Sequence, residues 1–504
     1  MKTVICKGLA WITAAALLLG CLATGPFAAG SESCACAEIP RVYIEGIGAP
    51  LRRNAGTAAE EQVDVADTAH IQEALLPMAR SILKAVALHS WEAGADAIAS
   101  LAYSLFGHLQ CDERGKSIAP ISNPYAAPTQ DHRQDKNFGF RYDWRLDPME
   151  SARQLHEYIQ LVRALTGHEK VALLYFSEGG LVATAYLAQF GSDAIDHLVP
   201  IMSAHNGLTL LGELFSKNLH LSAPATANLI RSLVTNQGGA EMDLVAALVT
   251  VLEQAGLLEA LTGALQVLLD NAGDRIYEAA LIPLFVQWPA LWGFVPDRYY
   301  ESAKAAVLAD NKHVDFIRTI DDYHYNAGAK ADALLAEAAA NGTKVSIVAS
   351  YGFPSMPFFS GANVSADGLI DTALESSGAT CADNGQTLGA RYTQKIDDGQ
   401  NHISPNRQID ASTCAFLNQT WFLQDQIHFT FAYPDFIDFL IYSDAQPTIT
   451  SDANYPQFIT RLPDNTFIPS TQAPAKPPPA AKLWLSLWSF ARFAFELLAS
   501  TLVG

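Results

Sequence analysis

A serine at the end of an apolar run is the residue in this sequence best placed to do chemistry. Residues 171–191 read VALLYFSEGGLVATAYLAQFG. A strand pattern ends at Phe176, Ser177 follows, then Glu178, Gly179 and Gly180, and a helical run closes at Gly191. A strand that turns at once into a helix holds the serine hydroxyl in a tight bend. It points that hydroxyl out of the sheet top and aims backbone N–H groups at the same spot. Two glycines let strand and helix approach closely. The plainer reading is a serine N-cap opening an ordinary helix. A serine hydroxyl is a weak nucleophile until an imidazole removes its proton and a carboxylate fixes that imidazole, so a histidine and an acid must come from elsewhere in the chain.

The elements that would carry such groups alternate. Arg41–Glu45 (RVYIE) is a strand pattern followed by the glycine turn Gly46-Ile47-Gly48. Gln72–Leu109 has apolar residues at helical spacing. Lys170–Phe176, His197–Met202, Lys344–Ser350 (KVSIVAS) and Thr420–Leu423 are further strand patterns. Strands alternating with helices imply an α/β fold, with a mostly parallel sheet flanked by helices. From about 208 to 341 the pattern is almost all helical, which suggests a large helical cap inserted into a sheet domain. The expected division is 1–37 leader, 38–207 and 342–445 the two halves of the core, 208–341 the cap, 446–481 a proline-rich linker and 482–504 an apolar helix. The 504 residues and half-apolar composition allow a large core. Asp plus Glu number 52 against 32 Lys plus Arg, a formal net charge of −20, with no Lys/Arg-rich run. Such a chain is a poor nucleic-acid binder. There is no P-loop and no zinc-type Cys/His spacing.

With these segments in view, the chain resembles the α/β-hydrolase superfamily, lipase/esterase type, and is similar to its lecithin:cholesterol acyltransferase-like branch. The Ser177 turn with Gly179 and Gly180 carries the likeness. So do Tyr142-Asp143-Trp144-Arg145-Leu146, similar to the "YDWR" stretch upstream of the nucleophile in that branch, and Ser365–Ile370 (SADGLI), similar to the lipase acid turn. The resemblance covers roughly 38–205 and 342–445. It departs at Tyr175, where the family's first elbow glycine stands, and at Phe176, where histidine is common. It implies an α/β-hydrolase fold with the order serine, acid, histidine. Asp367, before Gly368 and two apolar residues, fits the acid, and Asp371 is the alternative. His428, between a strand and the helical run Pro434–Tyr442, fits the base, and His402 is the alternative. The backbone N–H of Glu178 would be one oxyanion donor, with Ile47 or Gly48 supplying the other. Asp143 and Arg145 read as a structural ion pair. Asp147, Pro148 and Glu150 read as a capping box.

Asp383, Asp397, Asp398 and Asp410 lie between acid and base, but their spacing matches no calcium loop. No metal and no cofactor is expected. The start of the chain, Lys2 and Lys7 followed by an apolar run to Leu19, reads as an export signal. Leu18-Leu19-Gly20-Cys21 resembles a lipoprotein processing box, in competition with ordinary cleavage. In an exported chain, Cys381 and Cys414 are the pair expected to form a disulfide. Beyond Pro477–Pro479, residues 482–504 form an aromatic-rich helical pattern, expected to lie on a membrane surface or dock on the domain.

These observations converge on a secreted or extracytoplasmic serine hydrolase cleaving a lipid or other apolar ester through an acyl-enzyme. Two readings compete: a lipid acyltransferase using the same triad, and a non-catalytic lipid-binding protein on a hydrolase fold.

Overall fold

The computed structural model describes residues 38–64, 81, 84, 85, 88–129, 136–237, 253–309, 313–428, 433–443, 445–462 and 466–473. Residues 1–37, read above as an export signal with Cys21, the proline run and the 482–504 segment lie outside the described residues.

The strands in chain order are β1 (Arg41–Ile44), β2 (Leu51–Arg53), β3 (Glu61–Val63), β4 (Ile121–Ser122), β5 (Asn137–Phe140), β6 (Val171–Ser177) and β7 (Ile195–Ser203). After the helical region come β8 (Lys344–Val345), β9 (Ile347–Tyr351), β10 (Thr380–Cys381), β11 (Ile409–Asp410), β12 (Thr420–Gln424), β13 (Phe458–Arg461) and β14 (Phe467–Pro469). Nine of them build the central sheet in the order β14-β13-β12-β9-β7-β6-β1-β5, with β8 beside β7. Every pairing in it is parallel except β13 with β14. The fold is therefore mixed α/β, with a mainly parallel sheet flanked by helices.

Side-chain alternation explains why both faces are covered. Val171, Leu173 and Tyr175 of β6 enter one apolar cluster with the helices Pro148–Thr166 and Gly179–Phe190. Ala172 and Leu174 point to the opposite cluster, under the helix Pro434–Tyr442 with Trp421, Phe436 and Leu440. A strand buried on both faces reads as a continuous apolar run, as Val171–Phe176 does.

Three expectations need correction. The 446–481 stretch is not simply a linker, because β13 and β14 extend the sheet there and Phe458 and Ile459 are buried. Pro469 is tolerated because β14 is an edge strand. Cys381 and Cys414 are free thiols in one apolar cluster rather than a disulfide. At Asp147 the carboxylate caps the Met149 N–H (2.9 Å), while Glu150 pairs with Arg153 instead of completing a box.

Between Thr209 and Ala340 the described elements are helices, among them Leu257–Ile276 running into a π-helical stretch, Tyr277–Val286. Segments of this block meet the loops beyond the strand ends: Thr209 N–H donates to Asp371 (2.9 Å), and Leu208 N–H to the Phe294 carbonyl (2.9 Å). Within this block, residues 238–252 lie outside the described residues. Leu265, Leu268 and Leu269 line an apolar cavity of about 190 Å³ with Ile98, Leu221 and Phe358. No helix among the described residues is long and apolar enough to cross a membrane.

Arg145 anchors the loop beside the sheet top. It is fully buried, forks onto both oxygens of Asp143 (2.9 and 2.6 Å), and donates to the Leu109 and Ile121 carbonyls. Arg145→Met should lower unfolding free energy by about 3–5 kcal/mol, because it strands the Asp143 charge. A urea titration with unchanged slope and a lowered midpoint is the expected result.

Candidate active site

Ser177 is the last residue of β6 and stands at φ +54°, in the left-handed region. Non-glycine residues rarely adopt that conformation, which here turns the chain sharply into the helix Gly179–Phe190. The Ser177 carbonyl takes the Ala204 N–H (3.0 Å), tying the bend to the end of β7. Close approach is possible because neighbours lack side chains. A Cβ on Gly46 would lie 2.6 Å from the Ser177 Cβ and 3.2 Å from the Glu178 nitrogen. A Cβ on Gly180 would lie 2.1 Å from the Ser203 hydroxyl. The turn Glu45–Gly48 therefore rests directly on the serine and on the first N–H of the helix.

Two loops arrive from neighbouring strands. The connection after β9 brings Asp367, and the residues after β12 bring His428. A backbone hydrogen bond from His428 N–H to the Asp367 carbonyl (2.9 Å) joins them. Ser177 Oγ–H donates to His428 Nε2 at 2.8 Å, and His428 Nδ1–H donates to Asp367 Oδ2. Asp367 Oδ1 accepts the Leu369 and Ile370 N–H groups (2.9 and 2.7 Å). The acid is fully buried and His428 1% exposed, while Ser177 is 7% exposed. Burial pulls the Asp367 carboxyl upward, but the charge and hydrogen bond of His428 and the Ile370 N–H help outweigh it and hold it below its ordinary value. The Phe176 ring stacks on the His428 imidazole, with centroids 4.9 Å apart.

The alternatives sit elsewhere. Asp371 stands at the N-terminus of the helix Thr372–Glu375 without a side-chain cap bond, and its carboxylate accepts the Thr209 N–H. His402 bonds Gln457 at Nδ1 (2.7 Å) and Asp398 at Nε2 (2.9 Å). Ile47 and Gly48 lie in the turn beside Ser177, but Gly46 is the residue packed on Ser177 and the Glu178 N–H. Asp398 and Asp410 are occupied by donors, including His402, the Gln400 N–H and the Tyr392 hydroxyl. Among the described residues, the group with ligand atoms close enough to hold an ion is Asp367, Glu375 and His428, within 4.8 Å of one another.

Sequence reasoning missed three residues at this site. Phe176 stands out in the sequence only as a departure from the family pattern, although its ring packs on the His428 imidazole. Gly46 was read as part of a turn rather than as the point of contact. Glu375 left no signal, because a glutamate ending a short helix looks solvent-facing until tertiary contacts bury it. Tyr175, the other departure, is only 2% exposed and fills the cluster beneath the helix Gly179–Phe190.

No family model matches the chain, and no curated protein does. A solved structure, described as the crystal structure of a Tle4-Tli4 complex, aligns over 62% of this chain and 75% of that one at 13% identity, with a TM-score of 0.24. A likeness that distant carries no argument.

Glu178 turns its side chain inward, 1% exposed, near Tyr142, whose hydroxyl donates to the Glu45 carbonyl (2.7 Å). Burial, then the charge of Asp143, push its carboxyl well above the ordinary 4.5. A group with a raised folded value contributes stability that is complete below its unfolded value and is lost as pH rises toward the folded one. Glu178→Gln removes that loss. The melting temperature of the variant should gain on the parent protein as pH rises above the ordinary carboxyl range, and a pH-independent difference would contradict a buried neutral Glu178.

Proposed function

We propose that this chain is a serine hydrolase of carboxylic esters on an α/β-hydrolase fold, working through an acyl-enzyme at Ser177. The observation that carries the reading is the continuous hydrogen-bonded line Ser177–His428–Asp367, with the serine held at positive φ at a strand-to-helix turn. Three further features support it. The serine, acid and base follow three different parallel strands at their C-terminal ends, where sites in such sheets are built. The Glu178 N–H opens a helix beside the hydroxyl. Tyr175, the departure from the family's elbow, is absorbed by the core.

In this mechanism Ser177 Oγ attacks the ester carbonyl carbon while His428 Nε2 takes its proton. Asp367 holds the Nδ1–H, fixing the tautomer and stabilising the imidazolium. The negative oxygen of the tetrahedral intermediate lies against the Glu178 N–H and the Gly46–Gly48 turn. Collapse expels the alcohol, which takes the proton from Nε2. A water molecule, deprotonated by the same nitrogen, then releases the acid and restores Ser177. Replacing that water by an acceptor alcohol would make the same centre an acyltransferase. The export reading rests on the composition of residues 1–37, and membrane-surface association on that of 482–504.

A fluorophosphonate probe should label the parent protein at Ser177, and Ser177→Ala should abolish labelling while leaving the melting curve in place. Ester turnover by that variant should fall by about four orders of magnitude or more. Labelling of a different residue, or persistent turnover, would overturn the assignment. Gly46→Ala places a methyl on the nucleophile, so kcat/KM should drop about a hundredfold in a folded protein.

A further inference from the structure

Glu375 ends the short helix Thr372–Glu375 just beyond the acid loop, and its side chain is fully buried. One carboxyl oxygen, Oε2, accepts the Ser350 N–H from β9 at 2.7 Å. The other, Oε1, is sealed from solvent and meets no donor. The carboxyl group as a whole stands against the acid loop: one of its oxygens, an Asp367 carboxylate oxygen and a His428 ring nitrogen all lie within 4.8 Å of one another. Two ionised carboxylates this close and out of water repel strongly, and neither can satisfy the other. One proton on Glu375 Oε1 resolves both problems, because it turns an orphaned acceptor into a donor aimed at a carboxylate. Asp367 already accepts two backbone N–H groups at Oδ1 and the imidazole N–H at Oδ2, so it is the member built to carry the charge. The other ionisable neighbours do not supply a compensating cation. Asp371 adds negative charge, and burial pushes the nearby Cys381 thiol up, keeping it neutral. Burial, and after it the Asp367 charge, push the Glu375 carboxyl well above its ordinary value. A metal ion shared by the three groups would compete for His428 Nδ1 and Asp367 Oδ2, which already bond each other.

We infer that Glu375 is a positioning residue: a neutral carboxylic acid that donates a hydrogen bond to Asp367, keeping the acid ionised and aligned on His428. Its kinetic consequence rests on the esterase reading above. A donor to Asp367 stabilises that carboxylate most when its charge is unmatched, that is, when His428 is neutral. The neutral acid thus favours the form of the imidazole able to accept the serine proton. Removing the donor favours the imidazolium and moves the acid limb of the rate profile to higher pH.

The test compares Glu375→Gln with Glu375→Leu in the full chain. Glutamine offers an oxygen to the Ser350 N–H and an amide N–H to Asp367, whereas leucine offers neither. The leucine variant should lose about tenfold to a hundredfold in kcat/KM, the range of a hydrogen bond to a charged group, with its acid limb shifted upward. The glutamine variant should restore both the rate and the position of the limb. Infrared difference spectroscopy of the unliganded parent protein against Glu375→Gln, at neutral pH, gives a readout independent of turnover. The carbonyl band of a protonated carboxyl should be present in the parent protein and missing from the variant. Absence of that difference, or a glutamine variant as impaired as leucine with its limb equally displaced, overturns the inference. A band that disappears as expected in a protein that cleaves no ester would sustain the carboxyl pair and reject the esterase reading instead.

Discussion

Ser177 stands in a backbone conformation that its side chain disfavours, and the architecture around it exists to keep it there. A left-handed residue of this kind costs about 1–3 kcal/mol and persists only where the surroundings over-determine it. Here β6 is buried on both faces, the Ser177 carbonyl is bonded to the end of β7, and the following helix packs against the first core cluster. Missing side chains at Gly46 and Gly180 then admit the neighbouring turn and strand end to contact distance. The result is one hydroxyl presented at the sheet top, with a helix N-terminus on one side and an imidazole on the other.

A second constraint is electrostatic. Three carboxyl groups, Asp367, Glu375 and Glu178, are withdrawn from water around that hydroxyl, and they meet different fates. Asp367 is surrounded by donors and stays charged. Glu375 and Glu178 are pushed toward neutrality by burial and by a neighbouring negative charge. In the proposed mechanism, negative charge held on the residue bonded to His428 is what would let a histidine buried to 1% exposure act as a base.

Much of this was legible in the residues. The run VALLYF is apolar without interruption, the mark of a parallel strand covered on both sides, and KVSIVAS is rich in β-branched residues although its strand breaks at Ser346. The PDFIDFLIY run has helical spacing, and the helix spans Pro434–Tyr442. The strand β5 was not legible: Asn137–Phe140 is four residues long, contains a glycine, and exists because β1 offers it an edge. The strands β13 and β14 were hidden by prolines that signal a linker, although an edge position tolerates them. At the site, Ser177 carried its own local signature. Asp367 and His428 depended on a family likeness, since a turn aspartate and a post-strand histidine are individually ordinary. Glu375 could not be found at all, because its role arises from burial against residues distant in the fold.

The central claim is that Ser177 forms a covalent acyl intermediate assisted by His428. Intact-mass spectrometry of the protein mixed with a slowly deacylating carboxylic ester tests it most directly. The account predicts a mass increase of one acyl group, located on the Ser177 peptide, that decays as acid is released and does not form in His428→Ala. Ester cleavage with no adduct, or an adduct that forms equally in the histidine variant, would contradict it.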